Sequence, residues 1–203
     1  MFGPSVQVVE PAVIEALRDA TRSRHAQLGA SPAMLRLFAV DFTILEYQGH
    51  LGRLLGLFEP LEYAVACAAD PWNPMRDLER SRALREDLTM MGATGSDIEA
   101  LERCSWLHVI APAGIYGYAY VVLGSMKGGK IIVERLRSVL GPVASFHFYG
   151  DRNGGADALW ASFCSDLEAH GKDNVEVICA TAVAVFDAYA TWLSGPLPLP
   201  GNG

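Results

Sequence analysis

Two stretches hold residue types whose spacing suits chemistry rather than packing alone. In LRDATRSRH, Leu17 to His25, the histidine continues a stripe of Ile14, Leu17, Thr21, His25 and Leu28, spaced 3, 4, 4 and 3 as on one face of a helix that looks toward the core. Arg18 and Arg22 precede His25 by seven and three residues, which places two guanidiniums near the same face. An imidazole so flanked can hold a metal while the cations hold anionic groups; it can equally be an interior histidine with its hydrogen bonds satisfied, beside two solvated arginines. The second stretch is LGSMKGGKII, Leu123 to Ile132. Gly124 and Gly128 are four apart and share a helical face, and Gly129 follows. Each glycine inside a helix sacrifices about 1 kcal/mol relative to alanine, so something must offset three of them. Bare backbone on one face admits a second helix in close contact, or a flat, bulky ligand.

The elements that must position these residues read as helices throughout. The first spans Val9 to Leu28, with Pro11 in its opening turn. After Gly29, Ser31 and Pro32, a core helix is expected from Ala33 to Phe58, bent at Gly49 or Gly52, with His50 structural or at the surface for want of a partner at i+3 or i+4. Pro60 then opens a short helix to Ala69, and DPWNP is a loop. Arg76 to Met91 carries both charge signs and reads as an amphipathic surface helix with a solvated charged face. Ser96 or Asp97 caps a short helix to Cys104; Trp106, Leu107 and His108 lead into a break. The longest helical pattern runs from Ile115 to Leu140, with Tyr116, Tyr118, Tyr120 and the glycines, and stops at Gly141 and Pro142. SFHFYGDRNGG reads as a loop with one aromatic run, and helices follow at Ala156 to His170 and Asp173 to Leu193. Phe186 and Trp192 on the last of these read as core residues. The fold class is all-α: one helical domain over 1–193 and a flexible Pro/Gly tail over 194–203.

Composition narrows the function classes. A chain of 203 residues suits a single domain with a sizeable core. The net charge of −7 argues against a nucleic-acid partner. Apolar runs are broken too often for a membrane span, and the N-terminus lacks the pattern of a signal peptide, so a cytoplasmic protein is expected. Cys67, Cys104, Cys164 and Cys179 are widely separated, with no CxxC, so neither a zinc site nor a disulfide framework is indicated. No Glu-x-x-His occurs, which argues against the di-iron bundles.

LRDATRSRH at Leu17–His25 and YVVLGSMKGGKII at Tyr120–Ile132, in this order and at this separation, resemble the two signature regions of the heme oxygenases, particularly the bacterial biliverdin-producing group. The resemblance implies a multihelical fold with heme between a proximal and a kinked distal helix. It implies that His25 is the iron ligand, that Gly124 and Gly128 form the wall opposite, that Gly129 allows a kink, and that Arg18 and Arg22 face the heme propionates. Tyr120 would lie at the pocket wall, and Lys127 or Lys130 would add charge at an edge where Trp160, Ser162 and Ser165 stand in place of relatives' basic residues. Ser125 stands where many members carry an aspartate that organises proton delivery, and serine has no pKa suited to a relay. The implied activity is cleavage of heme, both substrate and cofactor, to biliverdin, CO and iron, using O₂ and an external electron donor such as a ferredoxin or a reductase. Arg18, Arg22, Arg24, Lys127, Lys130, Arg135 and Arg137 would form the basic surface for that donor, and biliverdin would pass to a bacteriophytochrome or the iron be used. The rival readings are a heme-binding carrier or sensor that leaves the ring intact, and a helical interaction module.

Overall fold

The structure, a computed structural model, describes residues 12–68, 80–105, 111–150 and 155–195. Among the described residues there are eight α-helices and no strands: α1 Ala12–Gly29, α2 Pro32–Arg36, α3 Ile44–Cys67, α4 Arg80–Met90, α5 Gly95–Glu99, α6 Ile115–Leu140, α7 Ala156–His170 and α8 Val175–Leu193. The expected beginning of the first helix at Val9, the DPWNP loop, Trp106 to His108, Asp151 to Gly154 and the tail beyond Gly195 lie outside the described residues.

Helix α8 is the hub. It packs along α1 on one side and α6 on another, with α7 closing on α6 and α4 on α3. Lys172–Leu193 is long and apolar enough to cross a membrane by length and composition, but its Ile178, Ala182, Val185, Phe186 and Tyr189 are buried against these neighbours. Gly117 of α6 permits the close approach to α8, since a Cβ there would run into the Ile178 carbonyl and lie 2.8 Å from the Ala182 nitrogen.

The segment from Ala33 to Phe58 is two helices, not one. Helix α2 ends at Arg36, and α3 starts afresh at a capping box in which Thr43 Oγ1 accepts from the Glu46 N–H at 3.2 Å while Glu46 accepts from the Thr43 N–H at 2.9 Å. Arg36 reaches back to Glu46 at 2.8 Å and holds its carboxyl down at about 2, so the box stays charged. Nor does Pro60 begin a new helix: α3 runs through it to Cys67. Proline removes the N–H that the Gly56 carbonyl would have accepted, and the Cys104 N–H takes its place at 2.8 Å. That bond ties the chain beyond α5 to α3. The short helix after Gly95 is capped by Thr94 rather than Ser96 or Asp97 and ends at Glu99, short of Cys104.

Helix α4 corrects the expectation of a wholly solvated charged face. Arg80 and Asp87 are buried along with Leu84 and Leu88. Asp87 accepts from Ser145 Oγ at 2.6 Å, from the His147 N–H at 2.7 Å and from the Phe148 N–H at 2.8 Å. Arg80 donates to the Phe148 carbonyl and lies 4.2 Å from the centre of the Phe148 ring. Two buried charges on α4 therefore clamp the turn that follows α6, and that turn carries Tyr149 into the interior.

Candidate active site

The two chemically suggestive stretches meet at one cleft. Its lining includes Thr21, His25, Leu28 and Gly29 from α1, Tyr120, Val121, Gly124, Ser125, Gly128 and Ile132 from α6, and Phe186 and Tyr189 from α8. Met34 of α2, Trp160 of α7 and Tyr149 of the clamped turn complete it. The cleft encloses about 940 Å³, counting its open mouth.

His25 is exposed rather than turned into the core. Its stripe is buried at Ile14, Leu17 and Thr21, then leaves the core because the C-terminal half of α1 borders the cleft. The imidazole meets the Phe186 ring edge-on at 5.9 Å between centres. Across the same cleft stand Gly124 and Gly128. A Cβ built on either would meet no atom within 4 Å, so no second helix lies against this strip. Gly129 is different: its Cβ would lie 2.5 Å from the Tyr149 carbonyl oxygen, so its absent side chain makes room for the clamped turn. Of three adjacent glycines, two open the cleft and one packs.

The cations divide as well. Lys127 lies 3.6 Å from Asp157 and 5.2 Å from the centre of the Trp160 ring. Burial raises the pKa of the Cys164 thiol, one turn beyond Trp160, and the positive charges of Arg18 and Lys127 oppose it. Arg18 and Lys127 thus both act on Cys164, between α1, α6 and α7, and neither is among the side chains that line the cleft. Arg22 pairs with Asp19 on an exposed surface, apart from the cleft lining. Arg24 pairs with Asp187 at 3.2 Å, and Arg135 donates to the Phe38 carbonyl at 2.9 Å, so part of the basic surface is engaged within the fold.

Ser125 Oγ donates to the Val122 carbonyl at 2.7 Å, within its own helix. Of the three tyrosines of α6, Tyr116 and Tyr118 are buried, while Tyr120 lines the cleft 5.9 Å from Trp160. His50 proves to be neither exposed nor alone: it is 2% exposed, and its Nε2 is 2.6 Å from Tyr149 Oη, a partner 99 positions away. Tyr149, Tyr189 and Phe186 were not legible as cleft residues from sequence, whereas the resemblance had put Trp160 at the pocket edge. The signal for Tyr149 was the aromatic run Phe146 to Tyr149 in an otherwise loop-like stretch; its burial needed Arg80 and Asp87. Cys67, Cys104, Cys164 and Cys179 are all free, and no cluster of three metal-ligating side chains occurs among the described residues.

A sequence model of the heme oxygenase family matches residues 12–195. No curated protein matches the chain. Among solved structures, the heme oxygenase from Leptospira interrogans superposes with a TM-score of 0.74 at 17% identity, over 90% of this chain and 98% of that one. Heme oxygenase-1 from the cyanobacterium Synechocystis, solved in complex with heme, superposes with a TM-score of 0.69 at 15% identity, over 90% of each chain. At these identities the structures establish the shared all-α fold, whereas the family match extends across both the His25 and the glycine stretches, and on that ground the chain belongs to the heme oxygenase family.

Proposed function

We propose that the cleft binds heme with His25 as the iron ligand and that the protein is the oxygenase that opens it to biliverdin. The observation that carries this reading is the empty space over Gly124 and Gly128 in the cleft that His25 also lines. A flat ligand fits where helix packing does not. Apolar Leu28, Val121, Ile132 and Phe186 suit a porphyrin's faces, and Arg18 and Lys127 suit its carboxylates at one edge. When bound, heme supplies both the iron that activates O₂ and the ring that is cleaved, releasing CO and iron.

The chain's own part is to hold and shape. His25 would anchor one side, and Gly124 and Gly128 would leave room on the other for a molecule the size of O₂, because no side chain projects from them. The backbone around the glycines and the Ser125 oxygen, whose lone pairs remain available, can accept or orient a water there. Gly129 keeps the Tyr149 turn against α6, and so fixes where the cleft ends. Electrons come from an external ferredoxin or reductase, for which exposed Lys130, Arg18 and Lys127 offer a basic landing surface. A cytoplasmic setting supplies such donors and suits four free thiols. The biliverdin then serves a bacteriophytochrome or the iron is recovered.

The test is to titrate the protein with heme, record the absorption spectrum, then add ascorbate or a reductase under air. Loss of the heme bands with formation of biliverdin and release of iron is expected. A stable heme spectrum under reduction would instead favour a carrier or sensor.

A further inference from the structure

Reducing O₂ to water while a ring is opened consumes protons, and the hydroxyls of the cleft are not equally able to deliver them. Ser125 Oγ donates to the Val122 carbonyl and Thr21 Oγ1 to the Leu17 carbonyl, each at 2.7 Å. Tyr149 is placed differently. Its Oη lies 2.6 Å from His50 Nε2, with the two rings 11° from parallel. His50 in turn lines a second cavity of about 910 Å³, again counting its open mouth, on whose walls lie Ser31, Arg36, Phe42, Glu46 and Ser194. One hydrogen-bonded pair, buried at both members, thus touches two separate cavities: Tyr149 the cleft and His50 the other.

We propose that His50 and Tyr149 form a proton relay that carries protons from water in the second cavity to the heme cleft. The inference rests on the heme reading for what receives the proton, but not for the route. A water proton enters at His50 Nδ1, the Nε2 proton crosses to Tyr149 Oη, and the tyrosine's own proton leaves into the cleft. One proton enters and one leaves, both groups end neutral, and the imidazole ends as the Nδ1–H tautomer, which is reset before the next transfer when the ring turns so that an N–H again faces Tyr149 Oη. Neutral transfer suits the surroundings. Burial lowers His50 to about 4 and raises Tyr149 well above its usual value, so neither is ionised near neutral pH. The charged groups around this path include the Arg36–Glu46 pair on the second cavity, buried Arg53 against Gly195 on that cavity's wall, and Arg80 near Tyr149, with Tyr47 and Tyr189 beside the latter. Arg80 and Asp87 hold the turn that sets the Tyr149 hydroxyl against the imidazole.

Two measurements test the relay. In the heme-free protein, nitrogen-15 NMR follows exchange of the His50 ring proton with solvent. Ser194→Trp, an exposed position on the second cavity, should slow that exchange by filling the cavity; exchange unaffected by the plug overturns the route. In the heme-loaded protein, Tyr149→Phe and His50→Gln, the latter keeping a hydrogen bond but not a path through a ring, should retain wild-type heme affinity and spectrum. Their ascorbate-driven turnover should fall by about 100-fold, the scale of a lost general acid, with an altered solvent deuterium isotope effect. Wild-type turnover in both variants overturns the relay. Intact heme in the wild type overturns the heme reading, and the exchange experiment then decides the route by itself.

Discussion

His25 shows how one residue's position decides between two chemistries. An imidazole at the end of a buried stripe is an ordinary core group; one that emerges into an apolar cleft opposite bare backbone is free to take the ligand role proposed for His25. Because His25 is exposed and makes an edge contact with Phe186, His25→Ala should leave the thermal midpoint within a few degrees of wild type while abolishing heme turnover. Circular dichroism melting and biliverdin assay check both halves, and retained turnover would remove His25 from the reaction. Ser125 is the converse case. Its hydroxyl proton is already given to the Val122 carbonyl, so Ser125→Ala should slow turnover far less than Tyr149→Phe does in the same assay.

At the scale of elements, α6 uses neighbouring glycines for opposite purposes, and substitution should separate them. Gly128→Ala meets no atom within 4 Å, so it should stabilise the heme-free protein by up to about 1 kcal/mol through helix propensity. Gly129→Ala should destabilise it, because the new methyl lies 2.5 Å from the Tyr149 carbonyl, and that backbone is held by the Arg80 and Asp87 clamp. Urea unfolding of the pair reads the opposite signs; two destabilised variants would mean that a helix does pack on the strip. Gly128→Leu should fill the cleft and lose heme binding without loss of fold. Helix α3 depends on its beginning, so Thr43→Ala should cost about 1 kcal/mol through loss of the capping box.

For the whole molecule, stability should depend on pH through a buried histidine. The unfolded chain binds a proton at His50 below about 6.5, whereas the folded one resists until about 4, so between these values the unfolded state holds more protons and stability falls as pH drops. The loss is on the order of 3 kcal/mol across that window, and His50→Gln should flatten it in urea titrations at pH 4.5 and 7. Glu46 has the opposite charge type but the same direction. Its depressed pKa of about 2 contributes stability above the unfolded carboxylate value that is lost on further acidification. Heme should raise the thermal midpoint of the wild type, the rise growing with the logarithm of its concentration above Kd, and leave Gly128→Leu unchanged.

The sequence by itself determined that the chain is helical, where α6, α7 and α8 run to within a few residues, and that His25, Gly124 and Gly128 stand out, residues that the fold then brings to one cleft. Apolar periodicity and glycine spacing are local properties of a helix, and those suffice. What only the tertiary structure decided rests on contacts between residues far apart in the chain. Pro60 could not be seen to continue α3 until Cys104 supplied the missing hydrogen bond to Gly56. Arg80 and Asp87 looked solvated until the turn after α6 gave them Phe148 and Ser145 as partners. Gly129 could not be told from Gly128 without Tyr149 against it, and His50 had no visible role without the same tyrosine. Periodicity says which face of a helix turns inward. Which backbone groups, charges and rings meet there depends on how distant segments close on one another, and it is those meetings that turn a strip of glycine into one wall of an open cleft.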